Sequence, residues 1–384
     1  VTVKNFTNNG SSITILADPG SGLRPGVSPP AASTAAFLVN NSSVNIYGVD
    51  VVPTVSVPYG IRISSSYVGV SSVNVRDASF IWQAGVLLSS WTTISYTSVT
   101  TSGGHGFWLP GSTMSVITYS SAAGTFPLYL TNASTNTIQY SFFDGRSGQG
   151  SELNGGSRYN TNADSTMTLN SGIGNQSGLY VAQSNWNTVV RSSISNGSQI
   201  GLFLFGSNDN FIASCTVSGN GGSNPGAYIS ASQRNRIEDS FIRAPVVGLQ
   251  FFGATASFNT IARSTVTATS TTASDSIGVS FLTAATNTVT GSYVQGSTAV
   301  YVDGSTGTII SGSVLVATNT YGAALFSTNV IVNLTVTTST LSGGAQSVGL
   351  YLGLNGKGLV TIGSVTVTGV SRGVQIATQS AAFA

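Results

Sequence analysis

Four consecutive stretches between Gly178 and Val266 repeat one arrangement of apolar and polar positions. They read GLYVAQSNWNTVVRSSI, GLFLFGSNDNFIASCTV, GAYISASQRNRIEDSFI and GLQFFGATASFNTIARSTV. Each opens on Gly and alternates apolar residues. A short polar run then leads to Asn, and an apolar residue, a Ser or Cys, and a second apolar residue follow. The opening recurs at Gly60, Gly85, Gly106, Pro127 and Gly150 before this stretch and at Gly278, Ala299, Gly322, Gly349 and Gly373 after it, a return of about 20 to 30 residues. A period of that length predicts a stack of coils, each resting on its neighbours. No segment sustains a 3.6-residue apolar period, so the elements predicted are short β-branched strands and few helices.

Aligning the coils separates columns. Asn136, Asn187, Asn210, Asn235 and Asn287 follow their openings at one fixed distance, and Asn259 lies two residues later in its own coil. Beyond each Asn come an apolar residue (Ile138, Val189, Ile212), a small one (Ser141, Ser192, Cys215) and another apolar one (Phe143, Ile194, Val217). Three strands per coil with alternating inward residues account for this spacing. Asn at a corner can bond side chain to side chain from coil to coil, or offer a row of amides to sugars. Residues 1–35 are expected to be an N-terminal strand, Val1 to Leu16, and a Pro/Gly-rich loop, Asp18 to Pro30, leading into the solenoid of residues 36–384. That lead-in contains no amphipathic helix to cap an end, which would leave strand edges for end-to-end stacking.

The repeat resembles that of the pectate-lyase-like superfamily, found in secreted bacterial surface proteins and phage tailspikes. The resemblance runs from Ala36 to Ile376 and implies an all-β fold, a single-stranded right-handed parallel β-helix of about fifteen coils. It implies little about activity, since one fold hosts many functions.

Composition narrows the partners. Charged residues make up 6% of the 384 and hydrophobic ones 41%, so Ser, Thr, Asn and Gly supply the polar surface. The net charge is +2, and Lys occurs only as Lys4 and Lys357. No basic stripe exists to neutralise phosphates, which argues against nucleic-acid binding. No apolar run approaches the roughly 18 residues of a membrane span. Cys215 alone can form neither an intramolecular disulfide nor a Cys-based zinc site, and no metal or cofactor grouping is visible. The low charge suggests an extracellular or cell-surface protein.

Candidate chemistry is sparse. Gly104-His105-Gly106 matches a motif of polygalacturonases, which share the fold the resemblance implies. The clustered aspartates and Arg-x-Lys that accompany it there are missing here, so His105 reads as a turn residue. Glu238 and Asp239 are adjacent acids, with Arg263 placed to pair with Asp239. The densest ionisable group is Asp144, Arg146, Glu152, Arg158 and Asp164, around the least regular coil; lyases of the superfamily use a cationic or calcium-assisted base, which this group could imitate. A second feature is the position two past each opening. It carries Trp108, Tyr129, Tyr180, Phe203, Tyr228, Tyr301 and Tyr351, an aromatic stripe expected to face outward. Such a row serves either sugar or protein contact, or only cross-strand stability. These features predict a non-catalytic β-helix module with a structural, adhesive or filament-forming role, partnered by itself or by a carbohydrate. The alternative is a polysaccharide lyase or depolymerase.

Overall fold

The computed structural model describes residues 1–5, 11–18, 24–170, 176–270, 276–319, 322–328, 333–354 and 359–378. Residues 6–10 of the expected N-terminal strand and 19–23 of the expected lead-in loop lie outside them. Two compact units, Val1–Ser193 and Ile194–Ala384, divide the chain. Both are all-β, with no helix among the described residues. Both use one construction: three strands per coil, each pairing in parallel with the corresponding strand of the coils before and after, in a β-solenoid. The first coil already forms from Thr2–Lys4, Ile13–Leu16 and Gly26–Val27, which pair with Ala35–Asn40, Val44–Tyr47 and Asp50–Val51.

The coil Phe126–Thr131, Thr137–Gln139 and Phe142–Gly145 shows how the sequence dictates this. Leu128, Leu130, Ile138 and Phe143 point inward and are buried. They sit in register with Phe107, Leu109, Ile117 and Ala122 of the coil before. Like stacks on like, and each such side chain contributes roughly 1.5–3 kcal/mol by leaving water. The opening glycine reflects close approach of backbones. A Cβ on Gly248 would lie 2.6 Å from the Gly278 carbonyl oxygen and 2.7 Å from Val266. Register corrects one opening: Leu325 pairs with Leu350 and Phe326 with Tyr351, so Ala324, fully buried, takes the place expected for Gly322.

Corners carry the polar columns. Asn136 Nδ2 donates to Asn160 Oδ1 at 2.9 Å, and Asn160 Nδ2 to Asn187 Oδ1 at 3.0 Å. In the second unit Asn210, Asn235, Asn259 and Asn287 link in the same way, each bond 3.0 Å. Each accepting oxygen also receives the backbone N–H of the preceding asparagine, as from Asn235 to Asn259 at 2.9 Å. The second amide hydrogen goes to a carbonyl one coil back, as from Asn235 to Ser207 at 2.8 Å. An amide with two donors and a two-lone-pair oxygen is thereby fully satisfied while buried. At the next corner, serine hydroxyls repeat the device: Ser141 N–H donates to Ser165 Oγ, and Ser240 N–H to Ser264 Oγ. The residue before each of these Asn and Ser is left-handed, for example Arg234 (φ 54°) and Asp239 (φ 49°).

Asn235→Ala removes two donated bonds and strips Asn210 of its acceptor. The expected loss is about 3 kcal/mol, read as a lower urea midpoint at unchanged slope. Asn220→Ala, at an exposed loop position, should shift the midpoint far less.

Candidate functional site

Alternation on the first strand of each coil turns Phe107 and Leu109 inward and Trp108 outward. Register then lines up an outer column. In the first unit it runs Arg62, Leu87, Trp108, Tyr129, Glu152, Tyr180. In the second it runs Phe203, Tyr228, Gln250, Ser280, Tyr301, Phe326, Tyr351, Gln375. All seven residues of the aromatic stripe stand in these columns, yet they are half-buried, and Phe203 is only 8% exposed. Phe326 joins them where the sequence reading had Ala324. The Ala-Val-Tyr of Ala299 to Tyr301, already an alanine opening, was the signal that could have found it.

The rings cover one another. Centroids lie 4.9 Å apart for Phe203–Tyr228, 5.8 Å for Tyr301–Phe326 and 4.5 Å for Phe326–Tyr351, all stacked. Ring faces are therefore turned toward neighbours, and open only where the column is broken by a non-aromatic residue such as Gln375. Beside Tyr301, Phe326 and Tyr351 a groove of about 720 Å³ opens, walled by Ile277, Asn319 and Val348. That size and its mixed aromatic and amide lining suit a small organic ligand.

In the first unit a parallel outer column holds Tyr59, Ala84, His105 and Phe126. His105 packs on Tyr129 at 4.7 Å, Phe126 at 5.2 Å and Trp108 at 5.4 Å. It is part of an aromatic cluster and not an isolated turn residue. Burial lowers its pKa from 6.5 to about 4, so the ring is neutral near pH 7. Glu152, 6% exposed, lies between Tyr129 and Tyr180. Its burial pushes the carboxyl pKa up, against the opposing bond from Asn154 Nδ2 at 2.8 Å. Four buried polar atoms on this face have no partner among the described residues: Arg62 Nε, His105 Nδ1, Trp108 Nε1 and Thr131 Oγ1.

The other ionisable candidates lie on separate elements. Asp144 sits on the third sheet, accepting from Thr168 Oγ1 at 2.9 Å. Arg146 is exposed just past that strand, and Arg158 is exposed at the turn between the first and second strands. Asp164 lies at the following corner, held by Arg191 through two bonds of 2.7 and 2.8 Å that keep its carboxyl below the usual range. Only Glu152 of the five shares the face with the aromatic column. Glu238 and Asp239 both bond Arg263, at 2.8 Å each, and Glu238 also pairs with Arg236. Among the described residues no three His, Cys, Asp or Glu side chains are grouped to hold a metal.

A family model described as "Right handed beta helix region" matches residues 159–275. The chain is a right-handed parallel β-helix repeat protein. No curated protein sequence matches it. Among solved structures, it is similar to a mutant tailspike protein of E. coli bacteriophage HK620 in complex with a pentasaccharide. The identity is 10%, covering 87% of this chain and 72% of that one, with a TM-score of 0.52. It is also similar to a mutant of the periplasmic alginate epimerase AlgG, at 11% identity over 83% of this chain and 77% of that one, with a TM-score of 0.50. At such identities the β-helix shares a fold with these proteins.

The histidine carries a pH prediction. Its folded pKa of about 4 lies below the unfolded 6.5, so across that window the unfolded chain binds the extra proton. Stability is full above about pH 6.5 and falls as pH drops toward 4, by on the order of 3 kcal/mol from this group. Thermal melts from pH 7 to 4.5 should show that fall, and His105→Phe should flatten it.

Proposed function

We propose that this β-helix is a non-catalytic carbohydrate-binding module, adhesive or structural in role and working outside the cell, which takes a glycan against the outer face of its first-strand sheet. The observation that carries the reading is the aromatic column with its groove beside Tyr301, Phe326 and Tyr351. Aromatic surface with a few amide and hydroxyl groups and almost no charge is what a polyhydroxylated ligand requires: apolar C–H faces against rings, hydroxyls against Gln375 and Asn319. The low share of charged residues, 6% of the chain, supports it. So does the likeness in fold to a tailspike bound to a pentasaccharide and to an alginate epimerase. No helix among the described residues is long and apolar enough to cross a membrane.

A second reading rests on Glu152. A carboxyl whose pKa is raised by burial, between two tyrosines and on the same face as a neutral imidazole, is shifted in the direction a general acid toward a glycosidic oxygen requires. The two readings separate by experiment. Retention on immobilised alginate and on neutral polysaccharides should fall about tenfold in Tyr301→Ala and Tyr351→Ala, the loss expected when about 1.4 kcal/mol of stacking contact is removed. Incubation with the same polysaccharides should release neither reducing ends nor unsaturated products. Release that disappears in Glu152→Gln would replace the binding reading with the catalytic one.

A further inference from the structure

A second groove lies on another face of the first unit, at the corner between the second and third strands. Tyr96, Tyr119 and Tyr140 occupy that corner in three successive coils, each just before the small residue that closes the turn. All three are left-handed, with φ of 48°, 48° and 51°. They are also exposed, by 62, 52 and 50%. Their rings stack at 5.3 and 4.9 Å, with interplanar angles of 7° and 11°. A bulky side chain is poorly suited to this backbone, which favours Gly or Asn.

The second unit shows that the corner does not need an aromatic. Its equivalent positions include Ser214, Asp239, Arg263, Gly291 and Gly312, at φ between 48° and 56°. There the same turn is made by glycine, by Ser214 or by the ion-paired Asp239 and Arg263. The turn therefore does not require tyrosine, and these three side chains face solvent.

What they border is a groove of about 730 Å³ over the edge of the third sheet. Its floor is a row of hydroxyls, with Ser121 Oγ donating to Ser98 Oγ at 3.2 Å, and exposed Phe142 adds an apolar patch. The one charge lining it, Asp164, is already neutralised by Arg191. Stacking turns the faces of the tyrosines along the column, so the groove meets their hydroxyl-bearing edges. We infer that this groove is a second binding site, for an uncharged glycan, with the three phenols as hydrogen-bonding rail and Phe142 as the apolar contact. The ligand class rests in part on the function proposed above, but the site is separate from the first-sheet column.

The test replaces Tyr96, Tyr119 and Tyr140 together by Gly, the residue the second unit uses at Gly291 and Gly312, so that the turns are preserved; a melting curve checks folding. Wild type, this variant and Tyr301→Ala/Tyr351→Ala are compared on immobilised neutral glucan, mannan and galactan. In parallel, hydroxyl-radical footprinting is run with the matching hexasaccharides. The expected result is at least a tenfold loss of retention on one neutral polysaccharide in the triple variant, with protection of Tyr119 in the wild type that persists in the Tyr301/Tyr351 variant. Retention of the triple variant equal to wild type, or no retention of wild type on any neutral polysaccharide, overturns the inference. Alginate retention and the Tyr301/Tyr351 variant still decide the first-sheet reading in either case. A dimer in sedimentation that the triple variant abolishes, without glycan protection, would make the rail a contact between copies and overturn it as well.

Discussion

Turning a chain through three sharp corners in every coil requires backbone polar groups to be buried at the corners, and every one needs a partner. The buried asparagine row meets that requirement. Each amide oxygen takes two N–H groups from the preceding asparagine, and each amide nitrogen gives two hydrogens, one along the row and one to a carbonyl one coil back. The serine column does the same work with one hydroxyl per coil. These bonds run along the stacking direction, so each coil's turn is completed by the next. Apolar columns then follow from register, since a one-residue slip would break the amide row and turn every inward side chain outward.

The same translation from coil to coil acts on the outside. A residue type repeated at one position becomes a column whether or not the core has use for it. For aromatic residues this has a physical cost to recognition: neighbouring rings lie close enough to cover one another's faces. Contact between sugar C–H groups and a ring face is therefore confined to breaks in a column, and elsewhere edges and hydroxyls face outward. Gln250, Ser280 and Gln375 interrupt the second unit's first-sheet column, and Leu87 and Glu152 interrupt that of the first. The interruptions, more than the rings between them, decide where a ligand can lie flat.

This explains which features could be read from residues alone. The coils, their three strands, Asn136 and its equivalents and the recurrent serine were legible because their spacing is imposed by backbone geometry common to all coils. Phe326 was missed because Gly322 looks like an opening residue, and only pairing with Tyr301 and Tyr351 shows that Ala324 holds that place. Grouping of Asp144, Arg146, Glu152, Arg158 and Asp164 was a matter of sequence proximity. In a solenoid, neighbours within one coil point to different faces, whereas residues a full coil apart stand side by side. Glu152 is close to Tyr129 and Tyr180 for that reason. His105 looked like a loop residue from its flanking glycines, but Gly104 and Gly106 leave room for adjacent backbones, and the imidazole between them packs into aromatic neighbours.

The charged part of the left-handed corner was legible, since Arg263 was placed to pair with Asp239 and does so, but its tyrosines were not, because its occupants share only backbone conformation. Tyr140, Asp164, Arg191, Asp239 and Gly291 all fill it. That diversity is itself informative. A position under one steric demand, met by glycine in one coil and by a stacked aromatic in another, is not dictated by the turn alone. Where Arg191 and Asp164 pair, the corner is held by opposite charges screened by water. Where Tyr119 sits between Tyr96 and Tyr140, it is held by ring stacking, which salt does not weaken. Both arrangements support the corner, so what separates them is the surface each presents: a neutralised polar corner in one case, a line of phenols beside a hydroxyl floor in the other. The fold leaves that choice open, and it is at such positions, outside the asparagine and serine rows, that a β-helix can acquire a binding surface without altering its core.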